Sequence, residues 1–492
     1  MIANLTYKKE TLWVLLVSFL FISLNGFLIS KEFYYLSIIP WLFLVVMLAF
    51  YSIDRILLLI VFFTPLSIEL SNFIPNLDFD LHLPTEPMML GLMILVILKY
   101  FQGEGFNRRI LYHPVSIAIY FNLVWIFITS ITSSMFLVSL KFLFARIWFL
   151  VAFYFIAAEV FKNMDNIRKY IWIYIIPMLI IIFYVWVRLS SFGFFNQRAA
   201  HLVVQPFFAD HTSYGATLAF LIPVLAGFVI YDPKVKNLRR LLVLLILCIF
   251  VLAIILSYTR AAWVSLVGAV FIFILIRLRI RLSFLIALGV ILTLFIYSYR
   301  TEIIIKLEQN RQGSSKDLAE HVKSISNVAT DASNMERLNR WSCAWRMFKE
   351  RPVFGWGPGT YMFQYAPFQI SRERTIISTN FGDVGNAHSE YIGPLAESGM
   401  VGTLTFIWIV LAAIFTGLRT YRRSKSRYVK TLTLSVLLGL TTYFIHGILN
   451  NFLDTDKASA LFWGFIAILV AVDLYHRNVE IKNDGSIQGF QS

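Results

Sequence analysis

Stretches of roughly twenty apolar residues recur along the whole chain, and no other feature limits its fold as strongly. At 1.5 Å rise per residue, about 20 residues cross the ~30 Å hydrocarbon core of a bilayer. Within that core every backbone N–H and C=O must be satisfied internally, which leaves helices or a closed barrel. The sequence does not show the ~10-residue alternation of barrel strands. Only 14% of the 492 residues are charged and 58% are apolar, whereas soluble domains carry charge at about a quarter of positions. The expected fold class is all-α, a polytopic membrane protein with about 12–14 transmembrane helices. The candidate spans are 12–30, 34–51, 55–72, 87–101, 114–132, 142–161, 169–189, 212–230, 241–259, 261–277, 282–299, 396–418, 431–450 and 459–474. The weakest are 55–72, which contains Pro65 and Glu69, and 87–101, which is short.

A net charge of +15 invites a nucleic-acid reading, but the positions of the charges exclude one. Arg108 and Arg109, Lys162 to Lys169, Lys234 to Arg240, Arg277 to Arg281 and Arg419 to Lys430 fall in short loops on one side of this topology. Short loops rich in Lys and Arg mark the cytoplasmic face. The basic excess is thus a topology signal, with the lipid bilayer as partner and both termini inside. Lys8 and Lys9 precede an apolar stretch with no small-residue cleavage pattern after it, which reads as a retained span. Of the two cysteines, Cys248 lies within a span and Cys343 in a loop, so neither a disulfide nor a metal-binding pair is expected.

Two segments on the opposite side stand out from a single membrane domain spanning 1–492. The first, 190–211, is rich in aromatics and carries Arg198, His201 and His211. The second, 300–395, is the longest hydrophilic stretch, and connections of that length are usually functional. Within it Met335, Leu338, Trp341, Trp345 and Phe348 recur every three or four residues, which predicts a helix over 333–349 with one apolar face suited to a membrane surface. Arg337, Arg340 and Lys349 fall mostly off that face. Pro352 ends the helix, and Gly355, Gly357 and Gly359 permit a tight backbone path. Residues 300–330 carry no motif; they read as a lid or acceptor-binding insertion, or as a plain connector.

Few residues here bear chemistry. Between Leu241 and Ile276 the only charged residue is Arg260. One helix of that length would run about 54 Å, so the chain must fold back with Arg260 in the turn. There it either snorkels to the headgroups or binds an anion, since a guanidinium can bond two phosphate oxygens at once. His388 sits just before a span; an imidazole there is either structural or a general base. Glu390 or Glu397 could orient it, or merely solvate a helix end. Arg337 reads as a solvated helix residue or a second anion ligand, and Arg198, Arg340 and Glu390 are further candidate members of the site. His201 and His211 lack the third and fourth ligands a metal needs. No Gly-x4-Gly-Lys-Ser/Thr phosphate loop and no HExxH occurs. An enzyme built this way needs a substrate activated beforehand, and in a membrane a lipid diphosphate is the natural one.

Four stretches together carry a resemblance: Ser257-Tyr-Thr-Arg-Ala-Ala-Trp263, Arg337-Leu-Asn-Arg-Trp341, Arg351 to Gly359, and Asn386-Ala-His-Ser-Glu-Tyr-Ile392 running on through Ala396 to Gly402. In this order the chain resembles the O-antigen ligase and O-antigen polymerase superfamily over about 245–410. Tyr-Thr before Arg260 and Ala after it depart from that family's Ser-Arg-Gly turn. The resemblance implies a GT-C-like glycosyltransferase of the bacterial inner membrane, active on the periplasmic face, that needs no metal, nucleotide or other cofactor. It implies that the donor is a glycan on undecaprenyl diphosphate, that Arg260 and Arg337 bind the diphosphate, and that His388 activates the acceptor hydroxyl. An O-antigen ligase of lipopolysaccharide biosynthesis, with lipid A-core as acceptor, is the leading expectation. A polymerase would use a second lipid-linked glycan, and a protein O-oligosaccharyltransferase a Ser or Thr. From a different class, a flippase for the same lipid-linked glycan would line a deep cavity with charge, whereas these spans read as nearly charge-free.

Overall fold

The computed structural model describes residues 2–31, 52–72, 81–103, 105–232, 237–279, 332–375 and 385–477, with a few isolated positions besides. It is almost wholly helical. Helix α1 (Ile2–Ile29) stays exposed from Leu12 to Ile29 along most of its length. Helix α2 (Ile53–Phe63) stops after 11 residues. The Thr64 hydroxyl bonds back to Ile60 O at 2.8 Å, and Pro65 disfavours helix at the residue before it. A two-residue ladder then pairs β1 (Ile68–Glu69) antiparallel to β2 (His82–Leu83). The span expected at 55–72 is therefore a half-length helix followed by a turn. Helix α3 (Thr85–Phe101) has 17 residues, at the short limit for crossing a bilayer. The expected spans 34–51 and 282–299, and the segment 300–330, lie outside the described residues.

Helix α4 (Pro114–Ile131) starts with proline at its first position, where a missing N–H costs nothing, and His113 Nδ1 caps Val115 N at 3.2 Å. Next come α5 (Phe136–Leu150), which winds on to Val160, and α6 (Met164–Ser190). The short α7 (Gln197–Leu202) precedes α8 (His211–Ile230). Helices α9 (Asn237–Leu256) and α10 (Arg260–Arg277) form the hairpin that the lone arginine demanded. Helix α11 (Ala332–Glu350) follows, then α12 (Gly393–Arg423), bent at Gly399 (φ 68°). Helix α13 (Arg427–Leu449) and α14 (Asp456–Ala471) complete the set. Among the described residues ten helices are long and apolar enough to cross a membrane.

The core forms around the last two helices. Every residue of α14 is buried, the signature of a helix at the centre of a bundle rather than on its rim. Helices α8, α10 and α12 all lean on α13, and α12 also packs on α4. Water-driven burial does not operate between spans in lipid, so close backbone approach and hydrogen bonds hold them. At the α8–α13 crossing, a Cβ on Gly439 would stand 2.6 Å from the Phe220 carbonyl oxygen. Tyr170 and Tyr174 on α6 donate to the Ala460 and Lys457 carbonyls of α14 at 2.7 and 3.0 Å.

Candidate active site

The start of α8, the α9–α10 turn, the end of α13 and the segment around His388 meet α11 at one end of the bundle. Residues Ser257 to Thr259 make the turn, with Tyr258 in the left-handed region (φ 53°). The Thr259 hydroxyl donates to His211 O at 2.8 Å, and the Trp263 indole N–H to Ile254 O at 2.8 Å. These bonds tie α8, α9 and α10 together and fix Arg260 as the first residue of α10, half-buried. The positive ends of α8 and α10 therefore sit side by side beneath an arginine, a setting that favours an anion.

Helix α11 forms where the 3–4 periodicity places it, but a different face packs inward. Glu336, Asn339, Arg340, Cys343, Ala344 and Met347 are buried, whereas Trp345 is 49% exposed. The expected apolar stripe is thus half-buried, with Trp345 at its outer edge, as suits a helix lying on a membrane surface, and the inner face joins polar Glu336, Asn339 and Arg340 to apolar Cys343, Ala344 and Met347. Arg337 Nε donates to Leu449 O, the last residue of α13, at 3.1 Å. Burial, with the Arg260 charge adding to it, lowers the Arg337 guanidinium to about 10; Asp210 pulls the other way. It remains a cation at neutral pH.

His388 sits in a bend with φ 48°, its N–H bonded to Asn386 Oδ1 at 3.1 Å. Burial first, then the charges of Arg340 and Arg337, push its imidazole down to about 3, against the pull of Asp210. The ring is neutral at neutral pH. Arg260 thus acts on Arg337, and Arg337 on His388: three residues chosen from sequence share one electrostatic neighbourhood.

The other candidates divide. Arg340 is buried and committed: Nε meets Glu336 Oε1 at 2.8 Å, Nη1 meets Asn386 O at 3.1 Å, and the guanidinium lies 5.2 Å from the centre of the Tyr365 ring. A Cβ on Gly385 would overlap that guanidinium. Glu336 also accepts from Thr375 Oγ1 at 2.8 Å and from Ser378 Oγ. Arg340 therefore braces the turn that carries His388. Arg198 is exposed on α7, outside the buried cluster. Glu390 Oε1 accepts from Tyr443 Oη, Phe452 N and Leu453 N at 2.6, 2.8 and 3.0 Å. It locks the α13–α14 connection rather than orienting His388. Glu397 Oε1 accepts from Tyr361 N at 3.0 Å in the glycine loop, where a Cβ on Gly357 (φ 118°) would collide with the Ser133 and Ser139 side chains.

Three residues escaped the sequence reading. Asp210 caps α8, with Oδ1 accepting from Ser213 N at 2.7 Å, and it is the carboxylate within electrostatic reach of His388. An Asp directly before an apolar run is a helix-start signal that could have found it. His446 on α13 meets Asn450 Nδ2 at 3.1 Å and feels the Arg337 and Asp210 charges. Arg146, half-buried in α5, lies 5.9 Å from the centre of the Trp463 ring, with Glu390, Asp454 and Glu397 as acidic neighbours. The spans are thus less empty of charge than they read. Among the described residues no group of three or more His, Cys, Asp or Glu could hold a metal ion.

A helical bundle of many spans, with arginines and a neutral histidine gathered at one end under a surface helix, defines a polytopic membrane protein with an anion-suited site. Residues 243–407 match the family model described as O-antigen ligase. That stretch is about a third of the chain and contains the motifs around Arg260, Arg337 and His388, so this part of the chain is similar to the O-antigen ligase and polymerase superfamily. No curated protein matches the chain.

Proposed function

We propose that the protein transfers a glycan from a polyprenyl diphosphate to an acceptor hydroxyl on the outer face of the bacterial inner membrane, as an O-antigen ligase does. The observation that carries this reading is the electrostatic coupling of Arg260, Arg337 and His388, drawn from three separate segments. Arg260 and Arg337 hold the diphosphate. His388 takes the proton from the acceptor hydroxyl as its oxygen attacks the anomeric carbon. The carbon–phosphate-oxygen bond breaks on the opposite side, the lipid diphosphate leaves with the electron pair, and the anomeric centre inverts. Arginine charge favours that departure.

The low basicity of His388 fits this scheme. A base works best when its pKa lies near the working pH, and about 3 is far below it. The donor's diphosphate offsets the Arg340 and Arg337 charges, so the imidazole regains basicity only with donor in place. The base is switched on by the substrate, which limits wasteful attack by water before an acceptor arrives.

The test is reconstitution with a glycan-loaded undecaprenyl diphosphate and three acceptors in parallel: lipid A-core, a second lipid-linked glycan, and a Ser-rich protein. Transfer to lipid A-core supports the ligase; product only with one of the others moves the assignment to polymerase or protein glycosylation. His388→Ala should cut transfer by about 10²–10⁴ with an unchanged melting profile, and Arg260→Lys should lose most activity despite keeping its charge. Near-normal turnover in His388→Ala removes the base. Bilayer-crossing of labelled donor without transfer would favour a flippase instead.

A further inference from the structure

One feature at the edge of this cluster plays no part in the transfer just described. His201 on α7 and His211 at the head of α8 stack face to face, with ring centroids 3.7 Å apart and planes 8° from parallel. The stack is built onto the anion site. The His211 carbonyl accepts the hydroxyl of Thr259, the residue directly before Arg260, and Gly215, one turn further along α8, lets Thr259 pack against the helix. The charged and titratable groups facing His211 are His201 from α7, Asp210 beside it, Arg337 from α11 and Arg260 from α10.

Two imidazolium rings so close repel each other, so the pair titrates as a unit and holds a single proton at most. Two guanidinium groups oppose even that proton, and among the described residues Asp210 is the group that favours it. A glycan-linked diphosphate is a diester with two negative charges, enough to offset the two arginines, and with Asp210 the local charge turns negative. The proton then becomes favourable, and an N–H aimed at a phosphate oxygen makes a charge-assisted hydrogen bond.

Resting on the diphosphate reading above, we propose that the stacked His201–His211 pair is a further element of the donor site, taking up a proton as the diphosphate binds and donating it in a hydrogen bond to the diphosphate. Donor affinity would then be linked to pH through this pair, while His388, which returns only toward about 6.5 with donor bound, stays mostly neutral above pH 7 for its role as base.

The experiment is calorimetric titration of the purified full-length protein with farnesyl diphosphate, in two buffers of different ionisation enthalpy at about pH 7.5, where a histidine near 6.5 is mostly neutral. The wild type should take up about one proton more per ligand bound than His211→Gln. His201→Phe, which keeps a stacked ring, should lose the same proton, and His388→Gln should keep it. Binding should tighten about tenfold from pH 8 to pH 6.5 in the wild type and much less in both pair variants. Equal proton uptake in wild type, His211→Gln and His201→Phe overturns the proposal, as does loss of uptake only in His388→Gln. The outcomes separate the two readings. If Arg337→Ala abolishes binding but no extra proton is found, the pair's role falls and the diphosphate site stands. If farnesyl diphosphate does not bind, or binds Arg337→Ala equally well, both fall. Should His211→Gln fail to give a monodisperse protein, His201→Phe decides alone.

Discussion

At the residue scale, His388 is the side chain whose surroundings say most. Its imidazole is held near 3 by burial and by Arg340 and Arg337, so these surroundings alone keep it neutral at mildly acidic pH. In the donor complex those charges are offset and the histidine returns toward its ordinary range, about 6.5. The expected outcome is a split: kcat falls roughly tenfold per unit below about pH 6, while donor affinity does not weaken over that interval. Steady-state kinetics between pH 5 and 8 check this. Removing a positive neighbour eases protonation, so Arg340→Met should move the acid limb of kcat to higher pH. The Glu336–Arg340 pair offers a second check. Glu336→Leu strips the acid from a cation that is only 3% exposed, which costs about 3–5 kcal/mol. Glu336→Leu with Arg340→Met should recover most of the melting temperature but not the transfer rate, because the brace to Asn386 is gone.

At the element scale, most of the architecture could be read before any coordinates, and the misses have physical causes. Arg260 announced the α9–α10 hairpin because a lone charge in a run too long for one crossing has one sensible place. Helix α11 was legible from its periodicity, and its apolar stripe as a face suited to a membrane surface. The burial of Glu336, Asn339 and Arg340 on its other side was not legible, because charged residues off an apolar stripe read as solvated. Glu336 and Arg340, four residues apart, look in sequence like an ordinary solvated pair; only the burial of both makes them a brace. Arg146 was passed over because its partners Glu390, Glu397 and Asp454 lie hundreds of residues away. The half-length α2 was misread as a span because Pro65 can be tolerated inside one. The close crossing of α8 and α13 gives a prediction at this scale. Gly439→Leu drives a side chain into the Phe220 carbonyl and should destabilise the protein by about 1–3 kcal/mol, seen as a lower thermal midpoint in detergent with the unfolding still cooperative.

At the scale of the whole molecule, the placement of the site follows from sidedness. In a variant with Cys248 and Cys343 replaced by serine, a cysteine at the exposed position of Arg198 should react with a membrane-impermeant maleimide from outside. One at the exposed Arg422 should react only after the inner membrane is breached. The reverse pattern would put the cluster on the cytoplasmic face and remove the proposed donor geometry. The burial of α14 on every side also bears on how the protein is made. The helix at the centre of the bundle is translated after those that surround it, so the earlier spans enter the bilayer with no centre to close upon. Until Asp456–Ala471 is inserted, α5, α8, α12 and α13 lack a partner they share, and the bundle cannot close before that helix arrives. A ribosome stalled before that point leaves a set of inserted but unassembled helices, a natural substrate for membrane quality control.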